Sequence, residues 1–168
     1  MALRISKLQL ERIQQHGARD YPSECCGALL GTEVNGTKEV KDVAPLRNVR
    51  HDPDRAEELL PLTVPERESE RNRFLIDPKD LLKVEKEARE RGLDLIGYYH
   101  SHPDHPARPS GYDRDHAFPW YSYVIIAVER GAPGQYTSWT LREDRSEFNE
   151  EPIEVTEGSP RGKAPNEQ

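Results

Sequence analysis

Apolar residues recur along this chain in two rhythms, and the switches between them mark its elements. Leu3 and Ile5 alternate with polar neighbours, the period of a short half-buried strand. Ser6 then opens a helix expected to run to about Arg19, with Gln9 to complete a capping box and Ile5 and Leu10 at staple positions. Cys26 to Gly31 and Thr37 to Arg47 read as strands, and Phe74 to Ile76 as a third. Asp77 caps the next helix, Pro78 takes its first position and Gly92 ends it, with Leu81, Val84 and Ala88 on one face. The run from Asp94 to His102 is a buried strand, stopped by Pro103. A short helical stretch is expected over Tyr112 to Phe118. A buried strand follows over Tyr123 to Val128, then a more exposed one over Gln135 to Arg142 after the turn Gly131-Ala132-Pro133-Gly134. Pro152 to Val155 adds an edge strand, and residues 157–168, polar and rich in Gly and Pro, are expected to be disordered. Strands alternating with helices indicate an α/β layered domain.

One segment keeps neither rhythm. Residues 48–72 carry Asp52, Asp54, Glu57, Glu58, Glu66, Glu68 and Glu70, with prolines at 53, 61 and 65 and an apolar cluster from Leu59 to Val64. A charge run of this kind is a solvated loop or a binding segment within a compact domain.

Composition narrows the class. A charged fraction of 33% and a mean hydropathy of −0.92 describe a heavily charged surface, and 168 residues suit one domain. No apolar run approaches the roughly 18 residues a spanning helix needs, so no membrane partner is expected. The segment Met1 to Ile5 lacks the apolar core of a signal peptide. A net charge of −7 argues against nucleic acid as the main partner. Cys25 and Cys26 are adjacent, cannot cross-link without strain, and read as small core residues, which makes cytoplasm the simplest location. Nothing in the sequence bears on oligomeric state.

The chemistry is concentrated between positions 100 and 113. On a strand, residues i and i+2 point the same way, so His100 and His102 present both imidazoles to one side. Asp113 follows a loop broken by Pro and Gly. Two neutral imidazoles and one carboxylate suit zinc, and three protein ligands leave a fourth position for water, as in catalytic rather than structural zinc sites. Ser110 and Asp113 also fit Ser-x-x-Asp, a near capping box.

His100-x-His102-Pro103, with Ser110 and Asp113 at their spacing, resembles the signature of the JAMM (MPN+) metalloproteases, prokaryotic branch. The likeness extends to Glu24 in Tyr21-Pro22-Ser23-Glu24-Cys25-Cys26-Gly27, to Arg73 through Pro78, and over most of residues 3 to 155. It implies a single MPN (JAB1-like) domain over residues 1–156, an α/β fold with a mixed, mostly antiparallel sheet flanked by helices in cytidine-deaminase-like layering. It implies one zinc ion per chain held by His100, His102 and Asp113. Glu24 would be the general base and Ser110 a donor to the oxyanion. The implied substrate is a ubiquitin-like or sulfur-carrier protein cut at or just after a C-terminal Gly-Gly, with the insertion at 48–72, Leu59 to Val64 above all, as the partner contact. A non-catalytic binding module on the same fold remains the alternative. A nucleobase deaminase would want His-x-Glu and a later Pro-Cys-x-x-Cys, and neither occurs. His105 is close enough in sequence to line the cleft. His16, His51 and His116 read as surface or satisfied residues, Trp120 and Tyr121 as cleft-shaping or core, and Trp139 as core.

Overall fold

The computed structural model describes residues 2–59 and 74–157. The expectations for residues 60–72 and for the tail from 158 onward lie outside them.

Strand β1, Ala2–Ser6, buries Leu3 and Ile5. Ser6 caps helix α1, Lys7–Asp20, accepting from the Gln9 amide at 3.1 Å. Only half of the expected capping box forms, because the Gln9 side chain donates to the Lys41 carbonyl instead. Strands β2 (Cys26–Val34) and β3 (Thr37–Leu46) form a hairpin through Asn35-Gly36, both at positive φ.

The next stretch departs from the loop expectation. Val49–His51 is a 3₁₀ turn and Pro53–Leu59 is helix α2. Leu59 is buried with Val49, Ala56 and Leu75 in a small cluster of its own. It is therefore a core residue, not part of an exposed partner contact; the rest of that apolar cluster, residues 60–64, is outside the described residues. Phe74 to Ile76, expected as a strand, joins no ladder. Leu75 receives the Val49 amide on its carbonyl and donates its own amide to the Asn48 side chain, so a turn and a side chain satisfy it where a neighbouring strand would.

Asp77 caps helix α3, Pro78–Glu90, and also takes a bidentate pair from Arg55 on α2 at 2.8 and 2.9 Å. Strand β4, Asp94–Pro103, runs one residue past its expected end, since Pro103 pairs with Val128 in register and the missing N–H falls at the end of the ladder. Helix α4 is Gly111–His116, shorter than expected. Strands β5 (Ser122–Glu129) and β6 (Ala132–Leu141) meet at a tight Arg130-Gly131 turn, so β6 starts inside the segment read as turn. Strand β7, Phe148–Glu151, had no clear sequence signal. Strand β8, Ile153–Thr156, pairs with β1 at the sheet edge.

The strands form one mixed, mostly antiparallel sheet in the order β7-β6-β5-β4-β2-β3-β1-β8. Its two end strands are consecutive in sequence with only Pro152 between them, so the sheet curls until its edges approach, and the Leu3 amide donates to the Pro152 carbonyl at 3.0 Å. Helix α1 packs against strands from both halves of this curl. Its Leu10 and Ile13 join Leu3, Ile5, Leu29, Ile96, Tyr99 and Ile126 in the main core. Each such fully buried aliphatic contributes about 1.5–3 kcal/mol. Alternation on β2 sends Cys26, Ala28 and Leu30 to the opposite face, where Ala88 and Val84 of α3 cover them. The adjacent cysteines thus belong to different core layers. No helix among the described residues is long and apolar enough to cross a membrane.

Candidate metal centre

The site forms where β4 leaves the sheet and α4 begins. β4 is flanked by β2 and β5, with His100 level with Cys26 and Ile125, which fixes both histidines in depth and direction. His100 and His102 are 2% and 8% exposed, and their Nε2 atoms lie 3.2 Å apart. Asp113 of α4 closes the group: Oδ1 is 3.3 Å from His100 Nε2 and Oδ2 is 3.3 Å from His102 Nε2. The capping-box reading of Ser110 and Asp113 holds. The Asp113 amide donates to Ser110 Oγ at 3.1 Å and the Ser110 amide donates to Asp113 Oδ2 at 2.9 Å, a complete capping box that also aims the carboxylate at the imidazoles.

These distances test the fit to a metal. Ligands about 2.0–2.1 Å from a tetrahedral zinc stand about 3.3 Å from one another. The two Nε2 atoms are 3.2 Å apart and each lies 3.3 Å from a different oxygen of the Asp113 carboxylate, separations of the size a shared zinc would set. Among the described residues, His100, His102 and Asp113 are the group with ligand atoms close enough to share an ion.

Neighbouring groups set the chemistry of these three side chains. His102 Nδ1 is 2.8 Å from the Pro106 carbonyl, which can only accept, so the proton sits on Nδ1 and the Nε2 lone pair faces the site. His100 Nδ1 is buried and meets no hydrogen-bond partner among the described residues; the Phe74 ring stacked on its imidazole sets its orientation. Burial disfavours the charged form of His102, but Asp113, the Pro106 carbonyl and Glu24 outweigh it and raise its pKa above the ordinary value. Burial opposes ionisation of Asp113 too, yet the two imidazoles and their hydrogen bonds hold its carboxyl well below the usual carboxylate range.

Glu24 lies in the loop just before β2 and is 4% exposed, near enough for its charge to act on His102. Ser110 Oγ serves the helix cap as an acceptor, which leaves its own O–H as a donor. The fold thus brings His100, His102, Asp113, Ser110 and Glu24 to one place. His105 is exposed on the loop beyond β4, in an open groove with Asp104, Arg130 and Gln135. His16 is a satisfied core residue, 2.7 Å from the Tyr99 hydroxyl and 3.3 Å from Asp20. His116 stacks on Tyr112 and bonds its carbonyl. Trp120 is exposed and takes the Lys38 ammonium on its carbonyl, and Tyr121 packs against Tyr98 midway along β4. Trp139, expected in the core, is half-buried beside Arg108, Ser110 and Phe148. Sequence reasoning missed Asn48, Ser101 and Pro106 beside the site, whose contacts arise across the fold and left no local signal, and it singled out Phe74 only as part of the Arg73–Pro78 run.

A profile described as prokaryotic homologs of the JAB domain matches residues 7–142. The chain belongs to this family. It is 30% identical over 139 residues to a desampylase of Haloferax volcanii, covering 81% of this chain and 84% of that protein. It is 33% identical over 129 residues to a Thermus thermophilus protein named "Probable TtuB-protein conjugate cleaving protease", covering 77% of this chain and 72% of that one. A solution structure of a protein from Desulfitobacterium hafniense superposes with a TM-score of 0.73 at 30% identity, covering 93% of this chain and 94% of that one. A JAB1/MPN domain protein from Archaeoglobus fulgidus, 16% identical with a TM-score of 0.52 over 91% of this chain and 98% of that one, shares the fold. The chain is thus a single JAB/MPN-like domain, as its sequence motifs imply.

Proposed function

We propose that this chain cleaves peptide or isopeptide bonds at or just after the C-terminal Gly-Gly of a ubiquitin-like or sulfur-carrier protein, using one zinc ion held by His100, His102 and Asp113. The carrying observation is the buried group of His100, His102 and Asp113, with the two Nε2 atoms 3.2 Å apart and each 3.3 Å from one oxygen of the Asp113 carboxylate, in a site where the charge of buried Glu24 acts on His102. The names of the relatives, a desampylase and a conjugate cleaving protease, support the class: a JAB-family hydrolase of the isopeptidase type.

A zinc ion bound there supplies Lewis acidity, polarising the scissile carbonyl and bringing the pKa of water towards ~7. Glu24 takes the proton of the attacking water and returns it to the leaving amine. Ser110 donates its O–H to the oxyanion that develops on the scissile carbonyl. Two imidazoles with one carboxylate favour zinc over harder cations, which prefer all-oxygen shells. Phe74 covers one face of His100 and keeps water from it.

The test is cleavage of a carrier extended beyond Gly-Gly, or joined to a lysine, by zinc-loaded protein, followed by mass spectrometry. Glu24→Gln should keep the fold, the zinc and the carrier affinity, and should slow single-turnover cleavage by roughly 10²–10⁴, the usual worth of a positioned base. Protein that binds zinc and carrier but leaves every such bond intact would be a binding module, and the proposal would fall.

A further inference from the structure

We infer that Asn48 is a positioning residue for Glu24, one jaw of a two-point clamp on the peptide that follows it; the inference rests on the reading of Glu24 as the base. The Asn48 amide donates from Nδ2 to the Glu24 carbonyl at 2.9 Å. The N–H of the same peptide unit, that of Cys25, donates to Ser101 Oγ at 2.8 Å. Both polar atoms of one peptide plane are therefore held by side chains. The β2 ladder begins only at Cys26, paired with His100 and Leu46, so the sheet does not fix this plane. Fixing it restricts ψ of Glu24 and φ of Cys25, which sets the direction in which the Glu24 side chain leaves the backbone.

Each jaw is anchored to the metal ligands. Ser101 stands between His100 and His102 on β4, is fully buried, and donates its own amide back to the Cys25 carbonyl at 3.2 Å. Asn48 accepts the Leu75 amide on Oδ1 at 3.0 Å. Leu75 follows Phe74, whose ring stacks on His100 and whose carbonyl takes the Tyr112 hydroxyl at 2.7 Å, one residue before Asp113. The base and the ligands thus share one frame, and a displacement of about 1 Å at such a group can cost about a hundredfold in rate.

Of the bonds described, those to Oδ1 support the fold and the one from Nδ2 supports the Glu24 peptide. Oδ1 serves the fold: it caps the 3₁₀ turn through the Arg50 amide at 3.0 Å and receives Leu75. Nδ2 reaches Glu24. Asn48→Asp keeps the acceptor oxygen and removes the donor. It should retain zinc, lower Tm by several degrees because a carboxylate oxygen then faces the Glu24 carbonyl, lower kcat by about tenfold to a hundredfold, and leave KM within about threefold. In a Glu24→Gln background it should add less than about twofold, because residues acting through one group are not additive. Hydrogen exchange at the Cys25 amide, read without turnover, should accelerate in Asn48→Asp and in Ser101→Ala. Should Asn48→Asp not fold, Ser101→Ala tests the other jaw with the same expected pattern. Activity within twofold of the parent, or the same loss in both backgrounds, would overturn the clamp while leaving Glu24 as base. Full activity of Glu24→Gln alone would instead remove the base reading and the clamp with it.

Discussion

Phe74 lies on His100, ring centroids 4.8 Å apart and planes inclined by 28°. The stack covers a candidate ligand whose Nδ1 meets no hydrogen-bond partner among the described residues, so packing does for His100 what the Pro106 carbonyl does for His102. The same residue borders an apolar recess of about 210 Å³ formed with Tyr98, Tyr112, Phe118 and Tyr123.

Removing that ring should loosen the ion before it harms the fold. Phe74→Ala is expected to weaken zinc binding by about 10–100-fold, the range found when a group that orients a metal ligand is lost. Competition with a chromophoric chelator measures it, and Phe74→Leu, which keeps some cover, should fall between. Equal affinities across the three proteins would show that the strand alone orients His100.

Purified protein should hold about one zinc per chain, and His102→Ala or Asp113→Ala should lose it, since either change opens a three-ligand site. Elemental analysis reads the outcome directly; full zinc in both variants would refute the ligand set. Asp113→Ala should also lower stability slightly through the lost half of the Ser110 capping box.

Gly27 has no room for a side chain. A Cβ there would fall on the ring and hydroxyl of Tyr99, which is 1% exposed and held by His16 at 2.7 Å. Gly27→Ala should destabilise by about 2–3 kcal/mol, the scale of overpacking in a tight core, and thermal unfolding should shift down by roughly 5–10 °C. A Tm within one or two degrees of the parent would show that Tyr99 can move aside.

His16 should make stability sensitive to mild acid. Burial lowers its pKa below 6.5, against the pull of Asp20 and with the help of Arg19. The unfolded chain therefore binds a proton more readily than the folded one as pH falls below about 6.5, so the contribution is fully present above that value and is lost through the window down to the folded pKa. His16→Gln, which cannot titrate, should flatten this part of the curve in urea unfolding at pH 5 to 7.5. An unchanged slope would assign the acid sensitivity to other groups.

What the sequence determined by itself was local. The two-residue period of β4 already places His100 and His102 on one side, Asp77-Pro78 marks the start of α3, and Ser110-x-x-Asp113 spells the cap that the fold uses to aim a ligand. Such signals sit within a turn or a strand and depend on backbone geometry alone. Other features depended on partners far along the chain. Gln9 reads as part of a capping box, but the Lys41 carbonyl 32 residues away takes its amide. Phe74 to Ile76 has the apolar run of a strand, yet it joins no ladder and Asn48 and Val49 take the Leu75 backbone bonds instead. Leu59 looks like an exposed contact in a charged loop until α2 turns it inward onto Val49 and Leu75. The closing of the sheet by β7 and β8 around Pro152, and the hold of Asn48 and Ser101 on the peptide after Glu24, exist only once β2, β3 and β4 are paired. Tertiary structure decided these because a hydrogen bond or a buried contact is indifferent to sequence separation, whereas a periodic pattern records only the nearest turns.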